Sequence, residues 1–465
     1  MKILINNNIC RVDCDLKTHL KLTDLFKVRH PNAFHLRRYM PKGWDGKVPF
    51  YKEGRISTGL LPQLLQEIHK LGIAYTLDDV RDIVKPGKIP NKLGPFIIRE
   101  YQKQAINSVV NNYEGDVYFP RGIIKAATNS GKNIIICGIY KAFNLPTFVV
   151  MNNKEMFETS LEECGKLLPG KVGWITSKEI VWNDFMLCMV KTTHNRVKQL
   201  KHKLSNYQVA IVDECDLSDN KTNKKVISEL FNAVVRVGLS GTVALSNLKK
   251  DLIKNQNIKS YFGEVLYSIS NAELIEKGFS SKVVIKILPG NQIEELGNSY
   301  SEAYDRGIIN NRDRNKKVIK RIKYHLNKGR VPILIIAKRH KHILNIYKLA
   351  KKLLPDFQIE YVHHRTLDRK DIIRRFKEGK IDILIGSKIL GRAKNFPLIQ
   401  YMANAAGGLA PEDVLQFLGR ATRKHSSKKI TYYEDFHDKG KYLSRHARAR
   451  ERYYRNEKIR VIKKY

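Results

Sequence analysis

Two textures of hydrophobic spacing divide the chain. Over residues 1–90 the apolar positions are sparse. A short alternating run at 3–5 predicts a strand, 20–26 is helix-like, and 60–71 carries apolar residues at helical spacing. Between them lies a basic, turn-rich stretch, Arg37-Arg38-Tyr39-Met40-Pro41-Lys42-Gly43-Trp44-Asp45-Gly46-Lys47. Pro86, Gly87, Pro90, Gly94 and Pro95 then crowd together and mark a linker. From Arg99 onward, helical stretches alternate with compact apolar runs at 122–125, 147–151, 185–190, 209–212 and 235–239. Continuous apolar runs between helices predict parallel strands covered on both faces. The pattern fades at 275–325, where polar and charged residues rise. It resumes at 331–337, 358–362, 381–385 and 399–402. Two such blocks in tandem predict two similar α/β domains with a cleft between them. The expected organisation is a small α/β module over 1–90, a first α/β domain over 91–280, and a second over 281–465 that ends in a basic helix.

Composition sharpens this picture. The chain has 465 residues, enough for two or three cores, and 42% of them are hydrophobic. Lys and Arg number 85 against 45 Asp and Glu, a formal charge of +40. Such an excess points to a polyanionic partner, nucleic acid before a membrane surface. In the last 26 residues Arg445, Arg448, Arg452 and Arg455 recur at spacings of three and four, one face of a helix suited to phosphate contacts. The six cysteines are scattered, and Cys10 with Cys14 lacks the second pair of ligands that a zinc site needs. No segment reaches the ~18 apolar residues of a membrane span. A soluble protein of a reducing cytoplasm is the expectation.

Four short strings carry chemistry. Ala126-Ala127-Thr128-Asn129-Ser130-Gly131-Lys132-Asn133 follows an apolar run and precedes a helical stretch. Strand, tight loop and helix N-terminus form the geometry in which backbone N–H groups surround phosphate oxygens, with Lys132 reaching the terminal phosphates. Asn129 tolerates the left-handed backbone that such loops require. Asn133 occupies the magnesium-ligand position. Val209-Ala210-Ile211-Val212 runs into Asp213-Glu214, two acids at the carboxyl edge of a sheet. There Asp213 would hold magnesium and Glu214 would orient the attacking water. Ser240-Gly241-Thr242 ends another apolar run, where hydroxyls could sense the γ-phosphate. In Gln416-Phe417-Leu418-Gly419-Arg420-Ala421-Thr422-Arg423 two arginines three apart share a helix side and suit transition-state charge on a phosphoryl group. Upstream, Arg99 and Gln102 precede the first α/β domain, and Gln102 offers the donor and acceptor that an adenine edge requires.

In this order the strings resemble the motifs of superfamily 2 helicases and translocases over about 90–465. Gln102 is similar to their adenine-reading Gln, Lys132 to motif I, and Asp213-Glu214 to the DExx box. Ser240 and Thr242 match motif III, and Gln416 to Arg423 match motif VI. Lys388-Ile389-Leu390-Gly391-Arg392-Ala393-Lys394-Asn395 resembles motif V, which usually touches nucleotide and nucleic-acid backbone. Gly43-Trp44-Asp45-Gly46-Lys47, with Thr58-Gly59-Leu60, resembles the DNA-binding front domain of phage UvsW-type branch-migration helicases, as in T5-like phages. The resemblance implies an α/β fold of two tandem RecA-like domains, parallel sheets with helices on both faces, behind a small α/β N-terminal DNA-binding domain. It implies ATP and Mg2+ between the two domains, with phosphate contacts from Arg420 and Arg423. Around the ATP it implies roles for Arg99, Gln102, Thr128, Asn129, Ser130, Gly131, Lys132, Asn133 and Gly391, with Asn133 and Asp213 on the metal. Coupling falls to Ser240, Thr242 and Gln416. DNA contacts fall to Arg37, Arg38, Lys42, Trp44, Lys47, Lys388, Arg392 and Lys394. The implied activity is remodelling of branched, forked or single-strand/duplex junction DNA by a monomer in the host-cell cytoplasm. Asn129, Asn133, Cys215-Asp216 and Ala393 depart from the family pattern. They leave open a non-catalytic DNA binder on a degenerate helicase fold, and the motifs leave open an RNA helicase.

Overall fold

A computed structural model of the chain describes residues 1–241, 251–387, 390, 396–408, 419, 422–425, 428 and 430–463. It forms two compact units, Met1–Ala126 with Gly131–Ser268, and Ala127–Ser130 with Ile269–Tyr465.

The first unit is built on an eight-stranded sheet. In spatial order its strands are Ile180–Val181, Val172–Ile175, Phe185–Met189, Thr147–Met151, Val209–Asp213, Val235–Ser240, Arg121–Ala126 and Val265–Ile269. From Val172–Ile175 through Arg121–Ala126, successive neighbours run parallel. Thr147–Met151, Val209–Asp213 and Val235–Ser240 are buried at every position, Arg236 included. The register sets Lys125 opposite Ser240 and Asp213 opposite Leu239. Three neighbouring strands therefore release their chemistry-bearing ends at one sheet edge.

The N-terminal residues form a second, five-stranded sheet in the same unit, in the order Tyr51–Lys52, Arg55–Ser57, Ile9–Asp13, Lys2–Ile5 and Thr76–Asp79. Helices Leu16–Leu25 and Leu61–Lys70 accompany it. The first helix begins four residues before the predicted position because the Asp15 carboxylate caps it, accepting from Thr18 N. This sheet is joined to the larger one by buried polar contacts. Arg121 donates to the Asn7 carbonyl at 2.7 Å, and Arg236 to Asn8 Oδ1 at 2.5 Å. Gly59 lies so close to the helix Leu252–Phe262 that a Cβ there would stand 2.2 Å from the Lys259 carbonyl oxygen.

The second unit carries seven parallel strands, ordered Ile359–Val362, Ile383–Gly386, Ile333–Ile336, Tyr401–Asn404, Ile430–His437, Lys282–Pro289 and Val461–Lys463. Alternate residues feed two cores, Leu334, Ile336 and Leu384 to one side and Ile333, Ile335 and Ile383 to the other. The sheet is thus covered on both faces, and the α/β class and tandem RecA-like architecture expected from sequence are what the chain adopts. The stretch 275–325, where the sequence pattern fades, holds the strand Lys282–Pro289 and the helix Arg312–Leu326. Three buried acids at the end of Ile430–His437 and just beyond are each met by an arginine. Arg321 pairs with Glu434, Arg450 with Asp435, and Arg314 with Asp438. Among the described residues no helix is long and apolar enough to cross a membrane.

Candidate nucleotide site and nucleic-acid surfaces

The strand Arg121–Ala126 leads through the loop to the helix Lys132–Phe143. Gly131, at φ +74°, takes the left-handed turn that starts this helix, and Asn129 is left-handed as well at φ +76°. A Cβ at 131 would stand 2.6 Å from Gln102 Nε2, so a side chain there would displace the Gln102 amide. Gln102 is fully buried behind the loop. Its Oε1 accepts from Arg99 N at 3.0 Å and caps the helix Glu100–Val110, and Arg99 Nη1 donates to Tyr101 Oη.

Lys132 turns its ammonium to the two acids ending Val209–Asp213. Nζ lies 2.9 Å from Glu214 Oε1 and 3.4 Å from Asp213 Oδ1. Burial alone would lower the Lys132 pKa, but Asp213 and Glu214 outweigh it and hold the lysine protonated. Burial pushes the Asp213 carboxyl up, against the pull of the lysine. Glu214 sits at φ +55°, a backbone conformation that few residues other than glycine adopt. Next along the chain, Asp216 accepts from Ser240 Oγ at 2.6 Å, which ties the acidic turn to the neighbouring strand. Burial raises the Asp216 carboxyl as well, with Glu214 adding to the effect.

Asn133 is placed differently from a metal ligand. Its Nδ2 donates to Glu163 Oε2 and its Oδ1 accepts from Ser160 Oγ, so both amide atoms are taken up by the helix Lys154–Leu167. Within the second unit, Asn129 Nδ2 donates to the Gly419 carbonyl at 2.5 Å and to Thr422 Oγ1 at 3.2 Å. Thr128 packs so tightly on Gly419 that a Cβ at 419 would come within 2.3 Å of it. Ser130 is buried, and its N–H closes a turn onto the Ala127 carbonyl. Arg423 is half-buried, and its carbonyl accepts from Ser281 Oγ. Thr242, Lys388, Gly391, Arg392, Lys394, Gln416 and Arg420 lie outside the described residues.

In the N-terminal module Arg37, Arg38 and Lys42 are exposed. Lys47 pairs with Asp24 at 3.5 Å. Trp44 is half-buried, and its indole N–H donates to the Lys47 carbonyl, so its polar edge is spent on its own turn. Sequence reasoning passed over Asn152, whose Nδ2 donates to the Asp213 carbonyl at 3.3 Å and whose Oδ1 accepts from Asn223. Its place just past a strand that pairs with the acid-bearing strand is the signal that could have found it.

The parallel sheets, the loop ahead of the helix Lys132–Phe143 and the acidic strand end are arranged as in a helicase core. Two family models match in succession, the type III restriction enzyme res subunit over residues 95–245 and the helicase conserved C-terminal domain over 314–425. The chain belongs to superfamily 2, the ATP-dependent helicases. It is 23% identical over 469 residues to the ATP-dependent DNA helicase uvsW of Enterobacteria phage T4, covering 95% of this chain and 91% of that protein. It is 21% identical to the putative ATP-dependent helicase IRC3 of Saccharomyces cerevisiae, over 73% of this chain but only 51% of that one. Among solved structures, a fragment of a putative HsdR subunit of a type I restriction enzyme from Vibrio vulnificus shares the fold. It has a TM-score of 0.57 at 16% identity, over 74% of this chain and 65% of that one.

Proposed function

We propose that the chain is an ATP-driven DNA helicase or translocase that remodels branched DNA, by branch migration, fork regression, or unwinding of D-loops or R-loops, in phage recombination, repair or replication. The observation that carries the chemistry is the buried Lys132–Asp213–Glu214 cluster at the head of the helix Lys132–Phe143. A loop of left-handed residues in front of a helix N-terminus, with a cation held by two carboxylates, suits a nucleoside triphosphate and a divalent cation. Lys132 would exchange its carboxylate partners for β- and γ-phosphate oxygens. Asp213 would be freed to hold magnesium, directly or through water. Magnesium, when bound, neutralises phosphate charge. Glu214 would orient and deprotonate the attacking water, and Ser240 would report the change through Asp216. Arg420 and Arg423 would supply the cations that stabilise the transferred phosphoryl group. The formal charge of +40 supports a polyanionic track followed mainly through phosphate contacts. Support for DNA comes from the name of the phage T4 relative, an ATP-dependent DNA helicase, and its match along nearly the whole chain. The protein would act as a monomer on DNA.

The deciding experiment is ATP hydrolysis with and without forked DNA, and with an RNA duplex of the same length, in the wild type and in Lys132→Ala. Stimulation by forked DNA that disappears in the variant is expected. Removal of such an electrostatic contact should cost about 10²–10³ in rate. Hydrolysis no greater than that of the variant, with tight DNA binding intact, would overturn the motor. Stimulation by RNA alone would move the substrate to RNA.

A further inference from the structure

Between the paired strands Lys27–Arg29 and Lys47–Pro49 the chain makes an excursion over residues 30–46. Its base is closed by His30 N donating to the Gly46 carbonyl at 2.8 Å. Gly46, at φ +80°, passes beneath the buried Ala33, whose Cβ would lie 3.0 Å from a side chain at 46. One helical turn, Ala33–Leu36, follows. Tyr39 N then donates to the Leu36 carbonyl at 2.9 Å and Trp44 N to the Pro41 carbonyl at 3.2 Å. Trp44 anchors the return through the Lys47 carbonyl, with its ring 6.4 Å from that of His30. The excursion is therefore a built platform.

Its outward face is unusual. Phe34 is 83% exposed, Tyr39 84% and Met40 42%, and Arg37, Arg38 and Lys42 are exposed around them. The excursion's carboxylate, Asp45, is turned back to Lys47 N at 2.9 Å and Lys27 Nζ at 3.4 Å. What faces solvent is aromatic and cationic. Two open rings among cations fit a polyanion that also presents flat apolar faces, which is nucleic acid with unpaired bases. A closed duplex presents phosphates but no free base face.

We infer that Phe34 and Tyr39 form a stacking platform for unpaired bases, with Arg37, Arg38 and Lys42 on the flanking phosphates, and that this platform gives the protein its preference for forks and junctions over closed duplex. The inference rests on the nucleic-acid motor proposed above and adds these two rings to the DNA contacts expected of Arg37, Arg38 and Lys42.

The test uses the full chain carrying Phe34→Ala with Tyr39→Ala, alongside Phe34→Tyr with Tyr39→Phe. The probes are a forked DNA with 5-iodouracil at its first unpaired positions and a blunt duplex of the same length. Both rings are in water, so the thermal unfolding midpoint should not move. The alanine pair should bind the fork about tenfold more weakly or worse and the duplex as before, while the aromatic pair binds both like the wild type. Irradiation should cross-link the unpaired bases to Phe34 or Tyr39. Equal weakening on fork and duplex, no weakening on either, or cross-links confined to other residues would overturn the platform. Wild-type ATP hydrolysis reports on the motor separately, so failure of one reading is distinct from failure of the other.

Discussion

Ser240 Oγ donates to Asp216 Oδ1 at 2.6 Å, across the gap between the acidic turn and the end of the strand Val235–Ser240. Both side chains are buried. A hydroxyl given to a buried carboxylate is among the stronger neutral-to-charged contacts. It also makes the acidic turn and the strand end move together. Burial holds the Asp216 carboxyl above its ordinary range, so the hydroxyl favours the ionised form that burial opposes.

The first prediction follows from this pair. Ser240→Ala should remove about 1.5–3 kcal/mol of stability, the value of a hydrogen bond to a charged group. In the motor it should lower strand separation per ATP more than ATP hydrolysis itself. Parallel unwinding and hydrolysis assays measure both. An equal drop in the two would show that Ser240 serves hydrolysis and not its coupling to movement.

Glycines give a second prediction, and they separate close packing from open surface. Gly59→Ala drives a Cβ to 2.2 Å from the Lys259 carbonyl oxygen and 2.5 Å from that of Ser260. Backbone oxygens cannot swing aside, so a cost of about 1–3 kcal/mol is expected, as for overpacking elsewhere. Gly165 lies in the helix Lys154–Leu167 with nothing within 4 Å of its Cβ position. Gly165→Ala should stabilise by about 1 kcal/mol, the difference in helix propensity. Chemical denaturation of the two variants reads both signs, and a neutral Gly59→Ala would mean that the helix Leu252–Phe262 is free to shift.

Legibility in the sequence followed burial. Thr147–Met151 and the run 209–212 were visible as compact apolar runs because both of their faces are covered, and Val235–Ser240 was visible despite the buried Arg236 in its middle. The acids beyond Val209–Asp213 and the loop before Lys132 were visible because they stand at strand ends with little else to do. Arg312–Leu326 was hidden because a surface helix of a very basic protein carries its apolar stripe thinly. Val318, Ile319 and Ile322 are buried among exposed Lys316, Lys320 and Lys323. Arg314 in the same helix gave no signal, since a buried arginine paired with Asp438 reads in sequence as one more surface cation. Trp44 was singled out within Gly43-Trp44-Asp45-Gly46-Lys47, yet its N–H is consumed by its own turn. The rings left in water are Phe34 and Tyr39. An aromatic beside His35 and another beside Arg38 were the available hint.

A third prediction concerns pH. His342 is fully buried on the helix His340–Leu353, with one ring nitrogen 3.1 Å from Asn315 Oδ1. Burial first, and then the charge of Arg314, lowers its pKa from 6.5 to about 3. The folded protein keeps the ring neutral where the unfolded chain takes up a proton. Below pH 6.5 the unfolded state is therefore favoured by about 1.4 kcal/mol per pH unit, and this continues down to about pH 3. Above pH 6.5 the residue has no effect on the slope. His342→Gln should flatten the fall in stability between pH 6.5 and 5 by about 2 kcal/mol. Unfolding curves at those two pH values compare the variant with the wild type, and an unchanged difference would mean that the ring is protonated in the folded state.

A fourth prediction addresses the helix Lys441–Asn456. Its buried side is Leu443, Ala447, Arg450 and Tyr454, and Arg445, Arg448 and Arg452 are exposed on the opposite side. Arg450 is spent inside the fold on Asp435 and on the Gly408 and Phe436 carbonyls, so the outer three are the ones available to a phosphate backbone. Arg455 is drawn aside by Glu451 at 3.0 Å. Each phosphate neutralised on duplex DNA releases counterions and adds about 0.9 to the steepness with which log affinity falls against log salt. The triple variant Arg445→Gln, Arg448→Gln, Arg452→Gln should therefore flatten that slope by about 2–3 units while leaving the unfolding midpoint in place, because none of the three supports the core. Arg455→Gln alone should change the slope by less than the share of one phosphate. A triple variant that binds DNA with the wild-type slope would place these arginines on a solvated face that the nucleic acid does not reach.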